Sequence, residues 1–204
     1  MIDYKIISSG SKGNCVIINK DIMIDCGVAF SKIKDDLYDV KYLLITHIHS
    51  DHLNKKTLLQ INQKFPTIQI IGNYEVYQAW AVDRIANAGF EIETDDYIFT
   101  PFECLHDVLT YGFTFTIDDK KIIYATDTST MENAPDETYD MFFLESNHDE
   151  KKLEAIRGDK KGSYDPYLSG KRHLSTQQAR AFYFMHRRDQ GSELIELHKS
   201  SRFY

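Results

Sequence analysis

Three histidines and an aspartate lie within the seven residues THIHSDH (46–52), directly after the apolar run YLLI (42–45). Protonated imidazoles this close together would repel one another, whereas a bound cation lets all four side chains act as ligands. Imidazole nitrogen and carboxylate oxygen suit Zn²⁺, Mn²⁺ or Fe, and the lack of thiolates favours an open catalytic site over a closed structural one. A lone histidine at a strand end is usually a polar surface residue, but this spacing predicts metal binding.

The motif resembles the H-x-H-x-D-H signature of the metallo-β-lactamase superfamily, and the likeness extends along almost the whole chain. It implies an α/β fold, a four-layer αββα sandwich with a dinuclear metal site between the edge loops of its sheets. It also implies an opening strand meander with an I-D-C-G turn, found here at 24–27. Three further ligands are then expected in order, and CLHD, YATDTS and KRHLS supply them as His106, Asp127 and His173.

Taken singly, each of these three residues has an ordinary interpretation. They could be a strand-end histidine, an Asx-turn aspartate and a residue flanking a helix cap. Their order behind the six-residue motif favours the ligand interpretation. The resemblance implies two divalent ions, Zn or Mn with Fe also open, in which Asp127 bridges both ions. One ion would be held by His47, His49 and His106, and the other by Asp51, His52 and His173.

Two such metal ions, about 3.5–4 Å apart, can share one hydroxide and lower the pKa of the water from which it forms. They can also stabilise the attacking and leaving oxygens of a displacement at phosphorus. Asp51 is the candidate that orients the attacking water and accepts its proton. His148 could protonate the leaving oxygen or contact a phosphate, and a surface histidine at a helix start is an equally open interpretation.

A narrower resemblance is carried by SSGSKGNC (8–15), ESNHD (145–149) and RHLS (172–175). These segments look like the YycJ (WalJ, VicX) branch of the superfamily, which is related to RNase Z and to DNA-processing phosphodiesterases. The predicted function is therefore a metal-dependent phosphodiesterase, a DNA exonuclease-like enzyme of replication, repair or recombination. The chain departs from the branch in reading KRHLS instead of GHLS and in ending soon after LHKSSRFY.

The same ions could serve other reactions, because a fold does not fix its chemistry. A small cyclic-nucleotide phosphodiesterase, a thioesterase or lactonase, and a binding module with a vestigial metal site remain open as alternatives.

Charge is distributed unevenly, since residues 1–150 hold 12 Lys and Arg against 25 Asp and Glu, while 151–204 hold 12 against 6. A basic run could therefore bind a nucleic-acid backbone, although a solvated helix face is an alternative. It comprises Lys151, Lys152, Arg157, Lys160, Lys161, Lys171 and Arg172. The candidate substrate-binding residues are Lys171, Arg172 and Asn147.

Aromatic residues lie among these charges and could stack on the bases of a single strand. They are Tyr164, Tyr167 and the group at 182–184, for which packing of a helix on the sheet is favoured. His186 and His198 are interpreted as structural, although His198 and Arg202 could reach the site from the end of the last strand.

Alternating and amphipathic patterns predict the elements that carry these residues. Strands are expected at 4–8, 15–19, 22–27, 41–46, 67–72, 90–94, 96–105, 111–117, 120–127, 140–146 and 192–198. Helices are expected at 28–37, 54–65, 74–89, 148–157 and 174–188.

The length of 204 residues suits one domain spanning 1–204. Three cysteines without a C-x-x-C pair indicate neither a disulfide framework nor a cysteine zinc site. The chain shows neither a signal segment nor a stretch of about 20 apolar residues, so a cytoplasmic protein without membrane contact is expected. The expected partner is DNA, single-stranded DNA included, and the oligomeric state is open, with a homodimer among the options.

Overall fold

The computed structural model describes residues 2–80, 82–159, 162 and 164–203. The chain divides into two compact units, residues 1–92 and 93–204. The prediction of one domain over 1–204 is not tested by this division and stays a prediction. No helix among the described residues is long and apolar enough to cross a membrane. All three cysteines are free and buried, as the absence of a disulfide pattern predicted.

The first unit is built on a six-stranded sheet of order β1-β2-β3-β4-β5-β6. Pairing is antiparallel from β1 to β3 and parallel from β3 to β6. Its strands are β1 (Tyr4–Ser8), β2 (Cys15–Ile18), β3 (Ile22–Ile24), β4 (Tyr42–Ile45), β5 (Gln69–Gly72) and β6 (Arg84–Ile85). Its helices are α1 (Lys55–Lys64) and α2 (Tyr74–Ala79).

The second unit repeats this plan on a sheet of order β12-β11-β10-β9-β8-β7. Strands β8 to β10 pair antiparallel, whereas β10, β11 and β12 run parallel. The strands are β7 (Ile92–Glu93), within which the unit boundary falls, β8 (Ile98–Cys104), β9 (Thr110–Ile117), β10 (Lys120–Ala125), β11 (Met141–Glu145) and β12 (Glu193–Leu197). The helices are α3 (Glu150–Ala155), α4 (Pro166–Gly170) and α5 (Thr176–His186).

Each unit has its own apolar core, in which the β-branched and aromatic residues of the strands meet one helix face. In the first unit Leu43 and Ile45 of β4 belong to the same cluster as Leu58 and Ile61 of α1. Burial of such a side chain stabilises the fold by about 1.5–3 kcal/mol. In the second unit Phe182 of α5 packs in the core with Ile123, Phe142 and Leu144. Packing of the 182 position on the sheet is therefore confirmed.

Two predicted helices are wrong in extent. The segment 28–37 forms only a 3₁₀ turn at Phe30–Lys32 followed by turns. Helix α2 ends at Ala79, and the chain then returns to the sheet, because Asp83 and Ile70 exchange hydrogen bonds of 2.7 and 2.8 Å and β6 pairs with β5. Helical periodicity in 74–89 is thus overridden by strand pairing.

The short helix α4 was not predicted, although its start carries two local signals. Asp165 caps it by accepting from the backbone N–H groups of Tyr167 and Leu168, and Pro166 occupies its first turn. The remaining strands and helices lie within a few residues of their predicted positions.

Candidate metal centre

The histidine loop (46–52) begins where β4 ends, so a buried parallel strand fixes its first residues. His47 and His52 are fully buried, and His49 and Asp51 are half-buried. His47 Nε2 lies 3.0 Å from His49 Nδ1. Two nitrogens bound to one tetrahedral zinc at about 2.0–2.1 Å would be roughly 3.3 Å apart. The separation therefore suits two ligands of one ion.

The carboxylate of Asp25 orients the histidine loop. It is fully buried, and its Oδ1 accepts from the backbone N–H of Thr46 at 2.9 Å, while its Oδ2 lies 2.7 Å from His52 Nδ1. The Thr46 hydroxyl adds a bond of 3.0 Å to the same carboxylate. A carboxylate on Nδ1 fixes the tautomer of a histidine and leaves Nε2 as the nitrogen that can bind a metal. Asp25 adopts φ of +62°, a left-handed conformation that aspartate tolerates better than most residues.

The turn at 9–14 clamps the other side of the loop. The backbone N–H of Asn14 donates to the carbonyl of Asp51 at 2.6 Å. The amide nitrogen of Asn14 lies 2.7 Å from His52 Nε2, a contact that an ion on that nitrogen would replace. Gly27 packs directly on the loop, since a Cβ there would lie 1.7 Å from the carbonyl oxygen of Asp51. These contacts account for SGSKGN and I-D-C-G as supports of the histidine loop.

In the second unit, Asp127 stands among three imidazoles. Its Oδ1 lies 3.3 Å from His173 Nδ1, 3.7 Å from His198 Nε2 and 3.9 Å from His106 Nε2. Asp127 lies two residues after β10, and its left-handed φ of +54° takes the backbone out of the strand conformation there. The structure thus brings together the predicted residues His106, Asp127 and His173 of this unit.

Glu145 at the end of β11 holds two of these histidines. Its Oε1 lies 2.7 Å from His173 Nδ1 and 2.8 Å from His198 Nδ1. Its Oε2 accepts from the backbone N–H groups of Thr128 and Leu174 at 3.0 and 3.3 Å. The carboxylate is fully buried, and these four donors satisfy it.

The electrostatics of this group follow from that pairing. Burial disfavours charge on His173, but the charge of Glu145 and its hydrogen bond outweigh burial and raise the pKa of His173 to about 9. Burial would raise the pKa of Glu145, yet His173 and His198 lower it well below its usual range. Burial lowers the pKa of His106 despite the nearby carboxylates. The ionised Glu145 and the protonated His173 therefore stabilise each other.

Glu145 and His198 are the functional candidates that sequence reasoning missed. Glu145 was not singled out, and His198 was interpreted as structural with the option of reaching the site. Because β10, β11 and β12 run parallel, their carboxyl ends meet at one edge of the sheet, where ligands of α/β folds commonly bind. Asp127, Glu145 and His198 lie at or just beyond these three ends. Recognising that three acidic or imidazole residues follow three adjacent strands would have found them.

His148 lies beneath the C-terminal segment. Its side chain is buried, and its ring centroid is 5.9 Å from that of Phe203. Burial lowers the pKa of His148, and within the described residues its Nδ1 has no hydrogen-bond partner. The alternative of a surface histidine at a helix start is wrong as to the surface, because His148 is buried. It does lie next to the start of a helix, since α3 begins at Glu150 with Asp149 as its cap.

The three predicted substrate-binding residues differ in setting. Asn147 is buried, and its amide donates to the carbonyl of His198 at 3.1 Å. Lys171 and Arg172 are exposed, and Arg172 pairs with Asp107 at 2.9 Å. Lys160 and Lys161 of the predicted basic run lie outside the described residues.

The donor set of the second unit fits a divalent ion. With its Nδ1 proton on Glu145, His198 presents an Nε2 lone pair to a carboxylate oxygen 3.7 Å away. Two acceptors facing each other at this distance are unfavourable unless a cation lies between them. A zinc ion bound at about 2.0–2.2 Å to each would separate them by roughly 3.4 Å. The same group, Asp127, Glu145, His173 and His198, keeps its ligand atoms within 4.8 Å of one another.

Comparison with known proteins agrees with this chemistry. The family model described as the beta-lactamase superfamily domain matches residues 20–186. The chain therefore belongs to the β-lactamase superfamily. It is similar to the exodeoxyribonuclease WalJ of Streptococcus pneumoniae, with 29% identity covering 85% of this chain and 72% of that protein. It is also similar to the exodeoxyribonuclease YycJ of Bacillus anthracis, with 25% identity covering 76% of this chain and 67% of that protein.

Among solved structures, the metallo-β-lactamase fold protein YhfI of Bacillus subtilis covers 98% of this chain with a TM-score of 0.74 at 16% identity, and the match spans 87% of that protein. The predicted fold class, the metallo-β-lactamase fold, is thus confirmed.

Proposed function

We propose that this protein is a metal-dependent phosphodiesterase that hydrolyses DNA, acting as an exonuclease. The observation that carries the proposal is the buried arrangement of Asp127 among three imidazoles, two of which are fixed by Glu145. The exodeoxyribonuclease names of the relatives support DNA as the substrate.

The proposed ligands of two divalent ions are the predicted ones, with one addition. The first unit would supply His47, His49, Asp51 and His52, and the second His106, Asp127 and His173. His198 is a second candidate for the place given to His173, because Glu145 holds both rings and His198 Nε2 faces Asp127. Zinc or manganese suits this donor set, and iron is compatible with it.

When bound, the ions would supply Lewis acidity toward the phosphoryl oxygens and lower the pKa of a nucleophilic water. Asp51 is the proposed residue that orients this water and takes its proton, since its carboxylate is partly exposed. Lys171 and Arg172 are proposed to contact phosphates. A role of His148 as proton donor also stays a proposal, and it requires Phe203 to uncover the ring.

The first prediction concerns metal dependence. End-labelled linear DNA and bis(p-nitrophenyl) phosphate should both be hydrolysed with Mn²⁺ or Zn²⁺ and not in EDTA, with activity regained when metal is restored. Product lengths on a gel and release of nitrophenolate measure the two reactions. Hydrolysis of acyl thioesters without cleavage of either phosphate diester would contradict the proposal and favour the thioesterase alternative.

The second prediction concerns Glu145 as a positioning residue. In Glu145→Gln an amide of nearly equal size places an NH₂ group or a weaker acceptor against two Nδ1–H donors, so the imidazoles lose their fixed orientation. Affinity for the ion is expected to fall about 10- to 100-fold, as measured by calorimetric titration of the metal-free protein. Glu132→Gln, at an exposed position, is the matched control. An unchanged affinity in a variant that melts like the parent would rule out this role.

A further inference from the structure

A surface on the second unit combines aromatic rings with cations next to the candidate metal centre. We call it the α4 surface, and it consists of Arg157, Tyr164, Tyr167, Lys171 and Arg202. Its two tyrosines flank the start of α4, and Tyr164 is 47% exposed. Its three positive charges and its partly or fully exposed rings need an explanation beyond packing of the fold.

The rings are not core residues but partners of the cations. Two cations lie near the ring of Tyr167, with Arg157 Cζ 5.3 Å and Lys171 Nζ 5.6 Å from its centroid. Arg202 Cζ lies 5.4 Å from the centroid of Tyr164. A cation over a ring is attracted to its π face, and this attraction keeps the positive charges beside the ring faces.

Contacts beneath the surface hold it in place. Gly170 of α4 packs against Leu153 of α3, because a Cβ at Gly170 would lie 2.5 Å from that side chain. The Tyr167 hydroxyl donates to Glu154 at 3.2 Å. Lys152 of α3 donates to the carbonyl of Phe203 and so anchors the segment that carries Arg202. The rings and cations are therefore presented on a supported platform.

The charge balance of the surface is positive. Within the residues that the structure describes, neither Lys171 nor Arg202 has a carboxylate partner. Arg157 pairs with Glu154, but both side chains are more than half exposed, and such pairs contribute little and are easily exchanged. Over 151–172 the sequence holds seven Lys and Arg against three Asp and Glu. A polyanion with flat rings complements both features.

The surface is continuous with the candidate metal centre along the chain. Lys171 is followed by Arg172, whose guanidinium pairs with Asp107 at 2.9 Å, and by His173. Asp107 in turn lies 3.2 Å from His106 Nε2. Arg172 and Lys171 therefore link His173 to the α4 surface along the chain.

We propose that the α4 surface binds the unpaired nucleotides of the substrate strand, with bases stacked on Tyr164 and Tyr167 and phosphates at Lys171, Arg157 and Arg202. The inference rests on the proposed nuclease function and adds to it a preference for single-stranded DNA or frayed ends. Stacking on tyrosine requires an exposed base face, which a paired and stacked duplex lacks. A duplex can use only the cations.

Binding of a fluorescent oligothymidine of about 12 nucleotides to the protein in EDTA tests the inference without any hydrolysis, and a blunt duplex of the same length is the comparison. Tyr164→Ala and Tyr167→Ala should each weaken single-strand binding about 5-fold or more, and the double variant about 30-fold, with duplex binding nearly unchanged. Tyr167→Phe loses the bond to Glu154 but keeps the ring, so it should bind like the parent.

Phe184→Ala is the matched control, since Phe184 is an exposed ring of the same unit with Arg187 Cζ 5.1 Å from its centroid. It should not alter binding. Equal losses for single strand and duplex, or a loss in Phe184→Ala as large as in the tyrosine variants, would overturn the stacking proposal. If the parent protein cleaves DNA but the tyrosine variants bind it as strongly as the parent does, this inference alone is overturned. Failure of the parent to bind or cleave any DNA would overturn the proposed function with it.

Discussion

Replacement of His49 or Asp51 by alanine is expected to lower metal-dependent hydrolysis of DNA by roughly 10³-fold, because each change removes a proposed ligand and, for Asp51, the proton acceptor as well. Both side chains are partly exposed, so neither truncation leaves a large cavity, and the variants should fold. The loss should appear in turnover of both linear DNA and bis(p-nitrophenyl) phosphate, since it acts on the reacting centre. Metal content measured after mild purification should fall in parallel.

Two matched controls separate this effect from a general one. His186→Gln changes a histidine of α5 whose Nδ1 lies 2.9 Å from the carbonyl of Glu137, and Asp39→Ala removes an exposed aspartate of the first unit. Both should keep activity within about twofold of the parent, because neither residue belongs to the proposed site and changes away from such features usually have small effects. Activity of His49→Ala and Asp51→Ala equal to that of these controls would remove the assignment of the histidine loop.

The second large effect is expected from Gly27→Ala. The added Cβ would lie 1.7 Å from the carbonyl oxygen and 2.2 Å from the carbonyl carbon of Asp51. Backbone, unlike the end of a flexible side chain, cannot move aside without disturbing the bonds from Asn14 to Asp51 and from Cys26 to His52. The free energy of unfolding should fall by about 3 kcal/mol or more, and the displaced loop should cost activity even where the variant folds.

Chemical denaturation and turnover measured on the same preparation check this prediction. Gly191→Ala is the control, because the nearest atom to its Cβ would be the side-chain oxygen of Asp189 at 3.2 Å, which can rotate away. Each variant adds one methyl group to the parent protein. Similar free energies of unfolding for the two variants would contradict the tight packing of Gly27 on the loop.

Local patterns were sufficient to predict the histidine loop and its strand. The run YLLI and the cluster after it lie within eleven residues (42–52), so no long-range information was needed. His106, Asp127 and His173 are single residues in ordinary surroundings, and only the family resemblance could select them. The structure then brought them together within the second unit.

Two of the failures share a physical cause, which is pairing between distant segments. The 74–89 pattern is amphipathic, yet the bonds between Asp83 and Ile70 draw its second half into the sheet. Glu145 looked like the last residue of a buried strand, and its importance appears only when β10 and β12 are placed on either side of β11. The sequence patterns did not predict α4, because its five residues are too few for a periodic pattern.

The parallel pairing of β12 with β11 couples the register of β12 to the hydrogen bonding of the buried Glu145 carboxylate. Leu197 lies opposite Glu145 in the ladder, which sets His198 beside the Glu145 carboxylate. A slip of β12 by one residue would turn every side chain of that strand to the opposite face. The buried charge of Glu145 would then lose one of its donors, an expensive outcome in a desolvated setting. A misregistered chain is thus destabilised by loss of the contact that places His198 in the candidate metal centre.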